Sequence, residues 1–220
     1  MQRQSDSQKA YLRAAALQYH DDLEGSPAAE YLTRRGLGWP SIQHEISKYK
    51  LGYVKTPATG HEMHKGFLAI PYLRKSYEHG WSVVSIRFRC IQDHEHTGHG
   101  KYMTVAGDRP RLFNTKALLQ PSPVVAITEG EIDAITASIA GIPTVGVPGA
   151  HNWQDHFPEL FYGYKEVYVL ADGDDAGRQF ANTVAGSLPN AKVIPMPPGE
   201  DVNSFVAQHG PKTFMERITP

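Results

Sequence analysis

The second half of this 220-residue chain carries three acidic clusters spaced for chemistry. The first is Thr128-Glu129-Gly130-Glu131-Ile132-Asp133. The second is Ala171-Asp172-Gly173-Asp174-Asp175-Ala176-Gly177-Arg178, and the third is Glu200-Asp201-Val202-Asn203. Two aspartates flanking one glycine bring hard oxygen donors close together. Mg²⁺ takes such donors and keeps waters and substrate phosphates at its remaining positions. Glu129 and Asp133 stand four residues apart, so a strand ending at Glu129 and a helix entered before Asp133 lets both carboxylates face one spot. Gly130 permits the sharp turn between them and leaves room for a ligand. Carboxylates that converge without a cation repel one another, which favours metal binding by Glu129, Asp172 and Asp174 together. Asp175 and Glu131 instead read as helix N-caps or dipole partners.

The first half has the opposite character. Residues 1–120 hold 17 Lys+Arg against 11 Asp+Glu, a net +6, and residues 121–220 hold 5 against 12, a net −7. Arg87, Arg89, Lys101, Tyr102, Arg109 and Arg111 combine cations with an aromatic ring, residue types that suit a polyanion. For any one of these arginines a solvated strand face is the competing reading. The same region contains Cys90-x-x-x-His94-x-His96-x-x-His99, four potential zinc ligands within ten residues. The stretch 92–100 also reads as a polar hairpin loop, and the sequence leaves metal binding there open.

The elements that must hold these groups can be read from periodicity. Tyr11, Leu12, Ala15, Ala16 and Tyr19 recur at helical spacing behind Ser5 or Ser7 as caps. Ser26, Pro27 and Gly36 frame a second helix as N-cap, first helical residue and C-terminal left-handed site, and a short third helix follows Pro40 through Ile42 and Ile46. The runs 67–73 and 81–89 predict strands, with Pro71 at an edge or bulge and a hairpin turn over Lys75-Ser-Tyr-Glu-His-Gly80. Beyond Pro123 the apolar runs 124–128, 143–147, 167–171 and 192–196 predict strands. Helical stretches near 131–140, 175–188, 202–208 and 211–217 are interspersed among them. Strands alternating with helices imply a parallel sheet covered on both faces, and ligands bind such sheets just past the strands' C-terminal ends. All three acidic clusters fall there.

Composition narrows the class. Hydrophobic residues at 40% and charged residues at 20% describe an ordinary globular chain, and no apolar run is long enough to span a bilayer. One cysteine excludes a disulfide framework and a Cys-rich zinc module, so a reducing cytoplasm is expected. The absence of G-x-x-x-x-G-K-[ST] excludes a P-loop motor.

Glu129-Gly-x-x-Asp133 after one strand and Asp172-Gly-Asp174 after another resemble the signature of Toprim. This metal-binding domain is shared by DnaG-type primases, type IA and II topoisomerases, OLD-family nucleases and recombination mediators of the RecR type. Leu170-Ala-Asp-Gly-Asp-Asp-Ala-Gly-Arg178 is most similar to the primase version. Pro198-Gly-Glu-Asp-Val-Asn-Ser-Phe-Val206 resembles the primase motif Gly-x-Asp-Pro-Asp-x-Phe/Tyr-Val, with Asn203 where the second aspartate is expected. Upstream, Glu30-Tyr-Leu-Thr-Arg-Arg-Gly-Leu37, Gly66–Tyr72, Val83–Arg89, Lys101-Tyr-Met103 and Leu112-Phe-Asn114 resemble successive primase-core motifs.

The resemblance implies an α/β protein: a Toprim-type, Rossmann-like parallel sheet over residues 121–220, preceded by a smaller mixed α+β subdomain over 1–120. It implies DNA-directed RNA primer synthesis from ribonucleoside triphosphates on single-stranded DNA. Asp172 and Asp174 would hold Mg²⁺, for which Mn²⁺ can substitute, with Asp201 assisting. Glu129 would serve as ligand or general acid/base, and Asp133 as supporting acid. Arg89, Lys101, Tyr102, Asn114 and Arg178 would contact template or nucleotide. A minimal core of this kind points to a phage or mobile element acting in the host cytoplasm, with a replicative helicase and a zinc-binding module on separate polypeptides. The competing readings are a Toprim nuclease and a non-catalytic DNA-binding replication accessory; a topoisomerase fits least.

Overall fold

The computed structural model describes residues 4–38, 40–76 and 80–218. They form two compact units, Met1–Arg109 and Pro110–Pro220.

The first unit opens with helix α1, Asp6–Asp21. Of the two candidate serines, Ser5 caps it in a reciprocal box: Ser5 Oγ accepts from Gln8 N at 3.2 Å and Gln8 Oε1 accepts from Ser5 N at 2.9 Å. Helix α2, Pro27–Arg34, starts as its sequence dictates, with Ser26 Oγ accepting from Ala29 N at 3.3 Å. Gly36 takes a left-handed φ of 71° just beyond its end. A 3₁₀ turn, Pro40–Ile42, leads into the short α3, Gln43–Ser47.

An antiparallel sheet follows, made of β1 (Gly52–Tyr53), β2 (Leu68–Ser76), β3 (Gly80–Arg89) and β4 (Tyr102–Met103) in that order. β2 and β3 form the expected hairpin, paired from Leu68↔Arg89 to Ser76↔Gly80; residues 77–79 at the centre of its predicted turn lie outside the described residues. Pro71 sits within β2, where both expected accommodations are present. The register shifts between Tyr72 and Leu73, and β1 reaches only Leu68 and Ala69.

Ala15, Ala16 and Tyr19 of α1 pack on Phe67, Ala69, Val83, Ile86, Phe88 and Cys90. Among the described residues of this unit, His61 and His64 are buried. The His64 ring stacks on Phe88 with centroids 4.0 Å apart and planes 11° apart. His61 Nδ1 lies 2.8 Å from the Tyr19 hydroxyl.

The second unit is a parallel sheet in the order β6-β5-β7-β8. Its strands are β5 (Val124–Thr128), β6 (Thr144–Gly146), β7 (Glu166–Ala171) and β8 (Ala191–Pro195). Helices α4 (Glu131–Ala140), α5 (Asp175–Gly186) and α6 (Val202–Ile218) alternate with them. Successive strand residues point to opposite faces. Val125, Ile127, Val167 and Val169 pack with Phe180 and Val184 of α5, while Ala126, Tyr168 and Leu170 pack with Ala137 of α4 and Phe205 and Phe214 of α6. Both faces are therefore covered, which is why these strands read as unbroken apolar runs. α6 kinks at Gly210, φ 81°, ahead of Pro211, so the two helices expected there are joined end to end.

The stretch 110–120 belongs to this second unit, although its charge had grouped it with the basic half. Phe113 and Gly146 exchange backbone hydrogen bonds of 2.8 and 3.2 Å, and Leu112 and Ala117 enter the core.

Burial, reinforced by His61, pushes the His64 pKa from 6.5 down to about 4. Between those values the unfolded chain binds more protons than the folded one, so stability falls as pH drops through that window. His64→Phe keeps the stack on Phe88 and removes the titration. Urea midpoints measured from neutrality down through this interval should fall less for His64→Phe than for the wild type. Equal slopes would show that His64 does not carry this pH dependence.

Candidate metal centre

In the second unit the chain runs from β5 outward to β6 on one side and from β7 outward to β8 on the other. The gap between β5 and β7 is thus the switch point of the sheet, where strand ends leave a crevice. Glu129 follows the last residue of β5 and Asp172 the last residue of β7. Since the two strands pair in register from Val124↔Glu166 to Ile127↔Val169, both acids emerge side by side at the crevice.

Close backbone contacts bring the third cluster to the same place. Gly173 N donates to Glu200 O at 2.8 Å and Gly199 N donates to Gly173 O at 3.0 Å. A Cβ on residue 173 would lie 1.8 Å from Pro197 O, and one on residue 177 would lie 2.3 Å from Asp172 O. Glycine is therefore required at both positions for the Asp172–Asp174 turn to nest between the 197–200 turn and the start of α5.

Helix N-termini order the acids. Asp174 caps α5, its Oδ1 accepting from Gly177 N at 2.7 Å. Asp201 Oδ1 accepts from Ser204 N at 2.6 Å while Ser204 Oγ accepts from Asp201 N at 2.9 Å, a reciprocal cap on α6. Asp133, buried in α4, accepts the backbone N–H of Asn203 at 3.0 Å. Asn203 Nδ2 donates to Thr136 Oγ1 at 2.9 Å. Asn203, which replaces the expected aspartate, is thus a buried tether between α4 and α6.

The electrostatics record the convergence. Asp172 is pushed from 3.8 up to about 8, first by burial and then by Asp133, Glu129, Asp201 and Asp174. Five carboxylates therefore bear on one another, and Asp172 cannot ionise readily without added positive charge. The donor set is all hard oxygen, which suits Mg²⁺ or Mn²⁺. A capping carboxylate commits one oxygen to the backbone and has a second, so capping by Asp174 and Asp201 is compatible with ligation.

Several expectations change in detail. The N-cap of α5 is Asp174, not Asp175, because the extended backbone of Asp174 precedes the first helical residue. Asp175 instead pairs with Arg178 on the exposed face of the first turn. Glu131 is buried in the first turn of α4, whose N-cap is Gly130, so its relation to the helix is through the dipole.

Asn114 does not present its side chain as a contact group. It is buried, left-handed at φ 56°, and its Nδ2 donates to Thr144 O at 2.7 Å and Ser138 Oγ at 3.1 Å. In the first unit Arg89 is 7% exposed. Its guanidinium lies 5.1 Å from the Tyr31 ring and 4.6 Å from the Tyr102 ring, and it hydrogen-bonds the Tyr102 hydroxyl. Arg87 lies 4.7 Å from the same Tyr102 ring, and Lys101 is exposed. Tyr31 and the Asn203–Thr136 tether escaped the sequence reading. The Asp201-x-x-Ser204 spacing was the available sign of the α6 cap.

The Toprim-like family matches residues 126–206. The gene 57 protein of Mycobacterium phage D29 is 58% identical over 156 residues, which are 71% of this chain and all of that protein. The DNA primase of Pseudomonas putida is 31% identical over 102 residues, 43% of this chain and 16% of the primase, so the chain spans only a small part of that enzyme. Among solved structures, the RNA polymerase domain of Mycobacterium tuberculosis primase DnaG superposes with a TM-score of 0.75 at 18% identity, covering 97% of this chain and 83% of that one. A DnaG primase catalytic domain bound to single-stranded DNA gives 0.74 at 19% identity, covering 96% and 81%. The chain belongs to the family of the phage D29 gene 57 protein and carries a Toprim-like domain within the fold of DnaG primase catalytic cores.

Asp172→Asn removes from the crowded centre the carboxyl that metal binding would ionise. Calorimetric titration should show weakened Mn²⁺ binding, while thermal unfolding of the metal-free protein should show equal or higher stability than wild type. Asp174→Asn should also weaken Mn²⁺ binding and keep the helix cap, since asparagine caps about as well as aspartate. Unchanged Mn²⁺ affinity in both variants would remove the metal assignment.

Proposed function

We propose that this chain is a primase catalytic core that joins ribonucleoside triphosphates into a short RNA primer on single-stranded DNA. The observation that carries this reading is the placement of Glu129 and Asp172 at the β5/β7 switch point of a DnaG-core fold, with Asp174 and Asp201 brought alongside. The DNA-bound relative of the same fold and the basic first unit support a single-stranded DNA template.

On this reading Asp172, Glu129, Asp174 and Asp201 hold Mg²⁺, with Mn²⁺ as substitute. The bound cation neutralises triphosphate oxygens and lowers the pKa of the attacking hydroxyl. Glu129 ligates the ion or carries the proton at the reacting oxygen. Asp133 orients the start of α6, and so Asp201, through the Asn203 backbone. Lys101 and Tyr102 contact template or nucleotide, and Arg178 contacts phosphate. Arg89 acts by holding the Tyr102 ring. The partners are the template, the nucleotides, a separate replicative helicase and a separate zinc-binding module, in the host cytoplasm.

A gel assay with single-stranded DNA, labelled ribonucleoside triphosphates and Mg²⁺ or Mn²⁺ tests the reading. Primer extension supports it, cleavage would reassign the chain as a nuclease, and neither would favour the accessory role. Glu129→Gln keeps the shape and cannot ionise. It should lower single-turnover synthesis by about 10²–10⁴-fold, and a near wild-type rate would remove Glu129 from the chemistry.

Lys101→Ala should make the salt dependence of single-stranded DNA binding shallower by roughly 0.7 in log–log slope. Arg89→Ala should chiefly destabilise the first unit, because it removes a buried cation from two aromatic rings. Fluorescence anisotropy across a salt series together with thermal unfolding separates the two effects. An unaltered slope for Lys101→Ala would return it to the solvated surface.

A further inference from the structure

The segment between β3 and β4 brings together four side chains that the acidic centre does not use. Cys90 directly follows β3, and His94, His96 and His99 lie on the irregular loop that leads to β4. One ligand-capable atom from each lies within 4.8 Å of the other three. Cys90 Sγ is 3.3 Å from His94 Nε2, and the three imidazole centroids are 4.9, 5.1 and 5.2 Å apart. A tetrahedral ion with Zn–N near 2.0 Å and Zn–S near 2.3 Å sets one sulfur and three nitrogens about 3.3–3.5 Å apart. The observed cluster is therefore a slightly expanded form of that shell.

Ordinary packing does not account for the gathering. His94 is exposed and His96 and His99 are half-buried, so burial of apolar surface is not what draws them together. The Nδ1 of His96 is shielded from solvent and has no hydrogen-bond partner among the described residues. His99 Nδ1 lies 3.1 Å from Gly100 O, which makes Nδ1 the donor and leaves Nε2 with its lone pair, the usual way an outer hydrogen bond presents a metal-ligating imidazole.

We propose that Cys90, His94, His96 and His99 form a four-ligand zinc site that clasps the β3–β4 loop. One thiolate and three imidazoles select Zn²⁺ and similar late metals over Mg²⁺, unlike the all-oxygen set around Asp172. Binding displaces the Cys90 thiol proton to solvent. Four protein ligands leave no open coordination position, so the role is structural. Cys90 N donates to Lys101 O at 3.0 Å, so the clasp closes the loop at its base. It thereby fixes Lys101 and Tyr102 beside Arg89. This inference stands whether or not the acidic centre makes primers.

The full-length chain, stripped with chelator, is titrated with Co²⁺ and then Zn²⁺. Equimolar Co²⁺ should give a thiolate-to-cobalt charge-transfer band and intense tetrahedral d–d absorption, both abolished by one equivalent of Zn²⁺. Cys90→Ser should lose the charge-transfer band. Because Cys90 is buried, His94→Gln is the second variant: His94 is exposed, so its loss leaves the core intact, as circular dichroism will check. His94→Gln should weaken Zn²⁺ by more than about 100-fold, beyond the 10–100-fold cost of losing outer-shell support alone. Asp172→Asn should leave Zn²⁺ affinity unchanged. Absence of the charge-transfer band in the wild type, or wild-type Zn²⁺ affinity in His94→Gln, would overturn the site.

Discussion

Repulsion among carboxylates at the end of the parallel sheet is the constraint that the second unit is built to meet. Asp172 emerges from a buried strand into a crevice shared with Glu129, Asp133, Asp174 and Asp201. Left to themselves these groups would spread into water. The fold prevents that by fixing their backbones. Gly173 locks the Asp172 turn against the 197–200 turn, Gly177 lets α5 start directly beneath Asp172, and three helices begin at the site. Helix N-termini supply partial positive charge, and Asp174, Asp201 and Asp133 each engage backbone N–H groups there. Those contacts position the acids without offsetting the charge that Asp172 would carry, so its pKa stays near 8. A hard divalent cation is the group that would let it ionise.

The two units follow different physical rules. The second covers both faces of its sheet, so its central strands β5 and β7 are buried and largely apolar, and its acidic clusters gather past the strand ends. The first packs α1 on an antiparallel sheet. Its polar groups are therefore spread along strands and loops, where Arg87 and Arg89 each lie over the Tyr102 ring. Its Cys–His₃ cluster and the acids of the second unit differ in donor softness, so a thiophilic and an oxophilic cation would not compete for the same place.

How much of this was legible follows from what each residue depends on. The strands of the second unit could be read because continuous apolar runs bounded by helices have few other solutions. The acids could be read because their spacing relative to strand ends is local. β1 and β4 could not be read: each has two residues, and their pairing is decided by β2 and β3. Asp175 and Asp174 differ by one position, and only the backbone dihedrals decide which is the cap. Asn114 sits in a motif that suggested a contact role, yet its partners Ser138 and Thr144 lie 24 and 30 residues away. Arg89 was visible as a charge, but its burial between two tyrosines depends on α2 and β4 meeting it. Asn203 was visible as a departure from the primase pattern, and the structure supplies its use as the bond to Thr136.

The central claim is that the carboxylates around Asp172 are a divalent-metal centre. Crystals of the protein equilibrated with Mn²⁺ and measured for anomalous scattering test it most directly. The account predicts a peak within bonding distance of the Asp172 carboxylate and of at least one of Glu129, Asp174 and Asp201. A crevice without such a peak at saturating Mn²⁺ would contradict it.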